Sequence, residues 1–172
     1  MNKAIDIRKQ VREDYTWITD VAEKVGAPGN PDVGLKALRG VLHVIRDMLK
    51  MEEVFTLSNH LPLMIRGIYF EGYNPYEVPV MIYNRELLNR FRKRMGPRNG
   101  DYFEDYLNKG EEELINNEEF LNRIRENIGP GENIEPEDAF LAVIEVIQNH
   151  NFSSKPEQFK YIMPHDVHHL MA

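Results

Sequence analysis

Displaced by 102 residues, the chain falls on itself without a gap from Gly34 to Ala172. The segment GLKALRGVLHVIRDMLKMEEVFTLSNHLPLMIRGIYF then lies over PEDAFLAVIEVIQNHNFSSKPEQFKYIMPHDVHHLMA. Ala37 meets Ala139, Val41 meets Val143, Leu42 meets Ile144, Val44 meets Val146 and Ile45 meets Ile147. Further on, Leu57 meets Phe159, Leu61 meets Met163 and Pro62 meets Pro164. The residues ahead of this run correspond at a displacement of 103: Trp17 with Phe120, Val21 with Ile124, Val25 with Ile128 and Gly26 with Gly129. General helix periodicity does not supply a shared proline at a fixed distance from an apolar helix. A duplicated unit therefore constrains the chain to two similar halves that bury the same faces. ELLNRFRKRMGP (residues 86–97) echoes EFLNRIRENIGP (residues 119–130), so residues 97–118 read as an insertion or the remnant of a further duplication.

The period of both copies is helical. Tyr15, Trp17, Ile18, Val21, Ala22 and Val25 follow the i, i+3, i+4, i+7 spacing, and Gly26 supplies a stop. From Leu35 to Leu49 most of the helix circumference is apolar; only Lys36, Arg39, Gly40, His43, Arg46, Asp47 and Lys50 form a polar stripe. Such a helix has to be surrounded by neighbours and is expected at the centre. A shorter helix runs through Val54, Phe55 and Leu57 towards His60, and Pro62 forces a bend before the next helix, which Gly72 ends. The stretch YNPYEVPVMIYN (73–84) reads as a loop with a short extended piece at 78–82. Helices are expected at 85–95, 102–108, 111–115 and 118–128. The expected fold class is all-α: one domain over residues 1–172, a helical bundle of two diverged tandem repeats of about four helices each (about 15–71 and about 119–172), with a loop and helical insertion at about 72–118.

Composition narrows the functional classes. Apolar residues make up 42% and charged residues 28%, the balance of a folded chain. Zero Cys excludes thiolate metal sites, disulfides and a cysteine nucleophile, and points to a reducing cytoplasm. No apolar h-region opens the chain, and no run approaches the roughly 20 apolar residues needed to span a bilayer, so a soluble protein without a membrane segment is expected. Net charge is −7, but residues 1–100 carry 16 Lys/Arg against 12 Asp/Glu while residues 101–172 carry 5 against 16. Blocks of opposite sign can pair within the molecule or meet complementary partners.

The comparison of the two copies also isolates what the repeat does not require. Arg39, His43, Arg46 and Asp47 stand where the second copy has Leu141, Glu145, Gln148 and Asn149, and Arg66 stands where it has His168. Spacings of 4, 7 and 8 place the first four on one helix face. Two readings stay open. The stripe binds an anion or an acidic partner surface, with Arg39 and Arg46 as donors and His43 adjusting charge near neutral pH. Otherwise it pairs with acidic groups elsewhere in the bundle, such as the block at 101–119, and fixes how the halves dock. Tyr69, Phe70, Tyr73, Tyr76 and Tyr83 gather around the proline-bearing loop beside Arg66, and aromatic residues with arginine are enriched at interfaces.

The motifs KALRGVLHVIRDML and LPLMIRGIYFEGYNP resemble the bacterial domain of unknown function 2267 family, whose members carry an ALR-VLH-LRD helix followed by an LP---RG-YYEGW-P segment. The likeness covers about residues 15–75 well and 139–170 more loosely, with Tyr73 where the family usually has Trp and a long stretch intervening before Glu118. It implies an all-helical fold of two related halves, and brings no established activity, substrate or cofactor.

The remaining candidates for chemistry are weak. His165, His168 and His169 have a spacing that can share a metal, but no Glu-x-x-His pair, no H-E-x-x-H and no later Asp after His165-Asp166 completes a known set. No metal and no cofactor are therefore expected. Arg90, Lys93 and Arg94 form a small basic patch, yet overall acidity and the absence of a recognised binding motif speak against nucleic acid. G-x-S-x-G, P-loop and G-x-G-x-x-G patterns are missing, so no catalytic residue is assigned. The reading that results is a helical module acting through protein contacts or regulation, on an unknown protein partner or by self-association. Its binding candidates are Arg39, His43, Arg46, Asp47, Arg66 and Tyr73. The alternative is a small-molecule or anion-binding protein, or an enzyme, with its pocket between the halves.

Overall fold

A computed structural model of the chain describes residues 6–49, 51–75 and 117–151. They hold six helices and no strand: α1 (Ile7–Lys24), α2 (Pro31–Met48), α3 (Met51–Ser58), α4 (Leu63–Tyr69), α5 (Asn117–Ile128) and α6 (Pro136–Asn151). The loop beyond Pro75, the extended piece at 78–82, the helices expected at 85–95, 102–108 and 111–115, the basic run at 90–94 and the His165–His169 cluster lie outside the described residues.

Local sequence sets the ends of these helices. The Asp6 carboxylate accepts from the Lys9 amide at 3.2 Å and starts α1, while Asn30 accepts from Val33 and Pro31 takes the first position of α2. Gly26, Gly72 and Gly129 have φ of +81°, +68° and +88°. These are the left-handed stops read from the sequence, a backbone region that side chains with a Cβ rarely adopt. Helix α1 begins eight residues ahead of the expected Tyr15, because its first turns carry Ile7 and Val11 on the solvent side and leave no buried apolar signal.

Helix α2 is central, as its near-continuous apolar circumference requires: it packs against α1, α4, α5 and α6. Ala37, Leu38, Val41, Leu42 and Ile45 are wholly buried in a core shared with Trp17 and Val21 of α1, Ile124 of α5 and Val143 and Ile147 of α6. The hairpins also cross reciprocally, α5 lying on α2 and α1 on α6. Two glycines permit the closest approaches. A Cβ on Gly34 would sit 2.1 Å from the Ile18 carbonyl oxygen of α1, and one on Gly40 would sit 2.9 Å from Ile128 Cγ1 of α5. Gly40 thus belongs to a helix–helix contact, not to a solvated polar stripe. Polar ties sit at the rim, where Lys24 meets Glu145 at 2.5 Å, Asp20 meets His150 at 2.8 Å and Lys36 meets Glu132. The Trp17 ring lies 5.0 Å from His150 and seats α1 on α6.

Candidate functional site

Helix α4 is too short to be stable on its own account, and its two ends show how the fold retains it. Pro62 precedes it and offers no side-chain cap, so the amides of its first turn need an acceptor from elsewhere. Asp14 of α1 provides one. This carboxylate is buried, and its oxygens accept from the Met64 amide at 3.1 and 3.2 Å and from the Ile65 amide at 3.1 Å. A negative charge at a helix start also matches the helix dipole.

The opposite end is held by the polar stripe of α2. His43 places Nε2 2.7 Å from the Ile68 carbonyl oxygen; because a carbonyl only accepts, Nε2 carries the proton. Arg46 donates from Nη1 to the carbonyls of Tyr69 at 2.8 Å and Glu71 at 2.9 Å, and from Nε to Asp47 at 2.8 Å. Its guanidinium carbon lies 5.4 Å from the centre of the Tyr73 ring. Arg39 closes the arrangement with a 2.7 Å bond to the Glu71 carboxylate. The positive groups therefore sit at the helix end where free carbonyls concentrate negative potential.

This geometry brings Arg39, His43, Arg46, Asp47 and Tyr73 together and leaves Arg66 apart. Arg66 lies on α4 itself and donates from Nη2 back to the Leu61 carbonyl at 3.0 Å, with its buried Nε unpartnered. The partners of Arg39, His43 and Arg46 are the backbone and side chains of residues 68–73, whereas Lys36, earlier on the same stripe, reaches Glu132.

Electrostatics follow from the same contacts. Burial pushes His43 below the ordinary 6.5, the Ile68 carbonyl opposes this, Arg46 and Arg39 add to it, and Asp47 resists it. The bond from Arg39 holds the Glu71 carboxyl below its usual range. Burial pushes the Tyr69 phenol up, and its hydroxyl donates to the Val54 carbonyl at 3.2 Å, tying α4 to α3. With Arg46 engaged on three acceptors and a carboxylate next to Arg39, the cluster supports a turn more readily than it receives an anion. Among the described residues, no group of three His, Cys, Asp or Glu side chains could hold a metal ion.

The supported turn carries rings. Phe70 contacts Tyr69 (5.1 Å between centroids), Phe55 of α3 (5.7 Å) and Tyr73 (5.8 Å). Phe55 is 51% exposed and Met51, one turn earlier on α3, is 53% exposed. Asp14 and Phe55 are the members that sequence reasoning missed as contributors. The signal for Asp14 was a lone carboxylate on the buried face of an amphipathic helix, and for Phe55 an aromatic placed between Val54 and Leu57, which are both buried.

A family model described as an uncharacterized conserved protein, DUF2267, matches residues 14–109. The match includes Asp14, the whole α2 stripe and the aromatic turn, and ends before α5. No curated protein matches the chain.

Proposed function

The chain belongs to the DUF2267 family of uncharacterized conserved proteins, and we propose that it works as a helical module engaging another protein through the aromatic surface of α3, α4 and the following turn. One observation carries this reading: the Phe55–Phe70–Tyr73 series ends in a half-exposed phenylalanine with an exposed methionine beside it. Large apolar side chains left half in water contribute less to folding than buried ones, and aromatic residues with methionine are enriched at interfaces. The α2 stripe then has an indirect role, since Arg46 and His43 hold the backbone that presents Phe70 and Tyr73.

The tandem repeat is part of the same proposal. It is supported by burial of both members of the pairs Trp17/Phe120, Val21/Ile124, Val41/Val143 and Ile45/Ile147, and by the reciprocal crossing of the hairpins. A reducing cytoplasmic setting is supported by the absence of Cys, and a bacterial one by the family resemblance. No described helix is long and apolar enough to cross a membrane.

A photo-crosslinking residue in place of Phe55, compared with the same residue in place of exposed Lys9, tests the reading in cells of the native host. A discrete protein adduct from position 55, absent from position 9 and lost with Tyr73→Ala, is expected. Equal labelling from both positions, or none from a folded protein, would contradict it.

A further inference from the structure

We propose that the turn following α4 is an acid-sensitive latch keyed by His43, closed near neutral pH and released as pH falls. The proposal deepens the interaction reading and rests on it for its consequence, since release would let go of the backbone that presents Phe70 and Tyr73. The latch itself is a property of the chain alone.

Its geometry is a single buried imidazole holding one carbonyl. A neutral histidine has one N–H, and here that proton is committed to Ile68 at 2.7 Å. A second proton would bring a charge into a buried position with Arg39 one turn before it and Arg46 one turn after it on the same helix face. Among the described residues, Asp47 on α2 and Glu71 beyond α4 are the nearby carboxylates, and each is already bonded to an arginine, Asp47 to Arg46 and Glu71 to Arg39. From α4, Arg66 is turned to the Leu61 carbonyl and the Tyr69 hydroxyl to Val54, while Tyr73 lies by Arg46. Helices α1, α5 and α6 meet α2 through apolar core residues. An imidazolium is therefore better accommodated in water, and turning outwards surrenders the Ile68 carbonyl. Burial and the two arginines already hold His43 below 6.5, in keeping with this direction.

The two ends of α4 separate this latch from general unfolding. The amides of Phe70, Glu71 and Tyr73 are bonded within the latched turn, at 3.0 to 3.1 Å, whereas those of Met64 and Ile65 are held by Asp14 at the far end. Hydrogen exchange on the full chain from about pH 7.5 to about pH 5, corrected for intrinsic rates, reads both ends at once. Protection at Phe70, Glu71 and Tyr73 is expected to fall below pH 6.5 by up to about tenfold per pH unit, with Met64 and Ile65 unchanged. His43→Gln keeps a neutral donor for Ile68 and should abolish the pH dependence. Arg39→Gln, at an exposed position, removes a like charge, so an imidazolium is better tolerated in the latched turn and the acid-induced loss of protection should be smaller than in the wild type. Flat protection in the wild type, the same loss in His43→Gln, or a parallel loss at Met64 and Ile65 would each overturn the latch. Because exchange needs no partner, a failed latch leaves the crosslinking result standing, and a failed crosslink leaves the latch standing.

Discussion

Removing the Asp14 carboxylate should cost more than its position on a surface-bordering helix suggests. The side chain is 2% exposed and serves two amides of the first turn of α4, with three contacts of 3.1 to 3.2 Å. Hydrogen bonds to a charged acceptor contribute about 1.5–3 kcal/mol each, and a buried amide left unpaired costs about 1–3 kcal/mol. The two amides are not equal. Ile65 is fully buried and its amide would be orphaned, whereas Met64 is about half exposed and water can replace the carboxylate there. Asp14→Ala should therefore lose about 3 kcal/mol, dominated by Ile65. Asp14→Asn retains one carbonyl oxygen in reach of both amides and gives up the charge, for a loss of about 1 kcal/mol. Urea denaturation followed by circular dichroism measures both, and at about 2–4 °C per kcal/mol a thermal melt should separate them clearly. If the alanine variant is within about 0.5 kcal/mol of wild type, or the asparagine variant is as damaged as the alanine, the account of α4's start is wrong.

Other outcomes follow from the same structure. Arg46→Lys keeps the charge but has one nitrogen where Arg46 uses two, Nη1 on the Tyr69 and Glu71 carbonyls and Nε on Asp47, so it should lose more than half of the roughly 3 kcal/mol expected for Arg46→Ala in the same denaturation assay. Gly34→Ala should destabilise more than Gly40→Ala, since the new Cβ would meet a backbone oxygen at 2.1 Å in one case and mainly a side-chain carbon at 2.9 Å in the other. Leu42→Ala, at a wholly buried position of α2, should cost about 2–5 kcal/mol by urea titration. The raised Tyr69 phenol favours the neutral form in the fold, so its contribution is complete below pH 10 and lost as pH rises past that value. A Tyr69→Phe variant should show a flatter decline in stability above pH 10 than wild type.

What could be read from the sequence was whatever burial imposes periodically. The centrality of α2 was legible because apolar residues occupy most of its circumference, and the stops at Gly26, Gly72 and Gly129 because only a residue without Cβ suits those angles. Pro62 marked the bend by its own geometry. The start of α1 was not legible, since Arg8, Lys9 and Gln10 lie between Ile7 and Val11, two apolar residues that both face water. Nor was the place of Gly40, which looked polar-sided until α5 was seen to lie against it. Comparing residues 34–70 with 136–172 singled out the stripe, but the partners of His43 and Arg46 are backbone carbonyls of residues 68, 69 and 71, which have no signature in residue type. Asp14 escaped for the same reason, its partners being amides about 50 residues away.

The central claim is that the stripe's donors are committed to α4's last turn and are not kept for a ligand. Side-chain N–H resonances of Arg46, followed by NMR while inorganic phosphate is added, test it most directly. Slowly exchanging Nη1 protons that stay in place as phosphate rises are expected, because they remain on the Tyr69 and Glu71 carbonyls. A saturable shift of those resonances would show that the guanidinium is free to bind an anion, and would contradict the account.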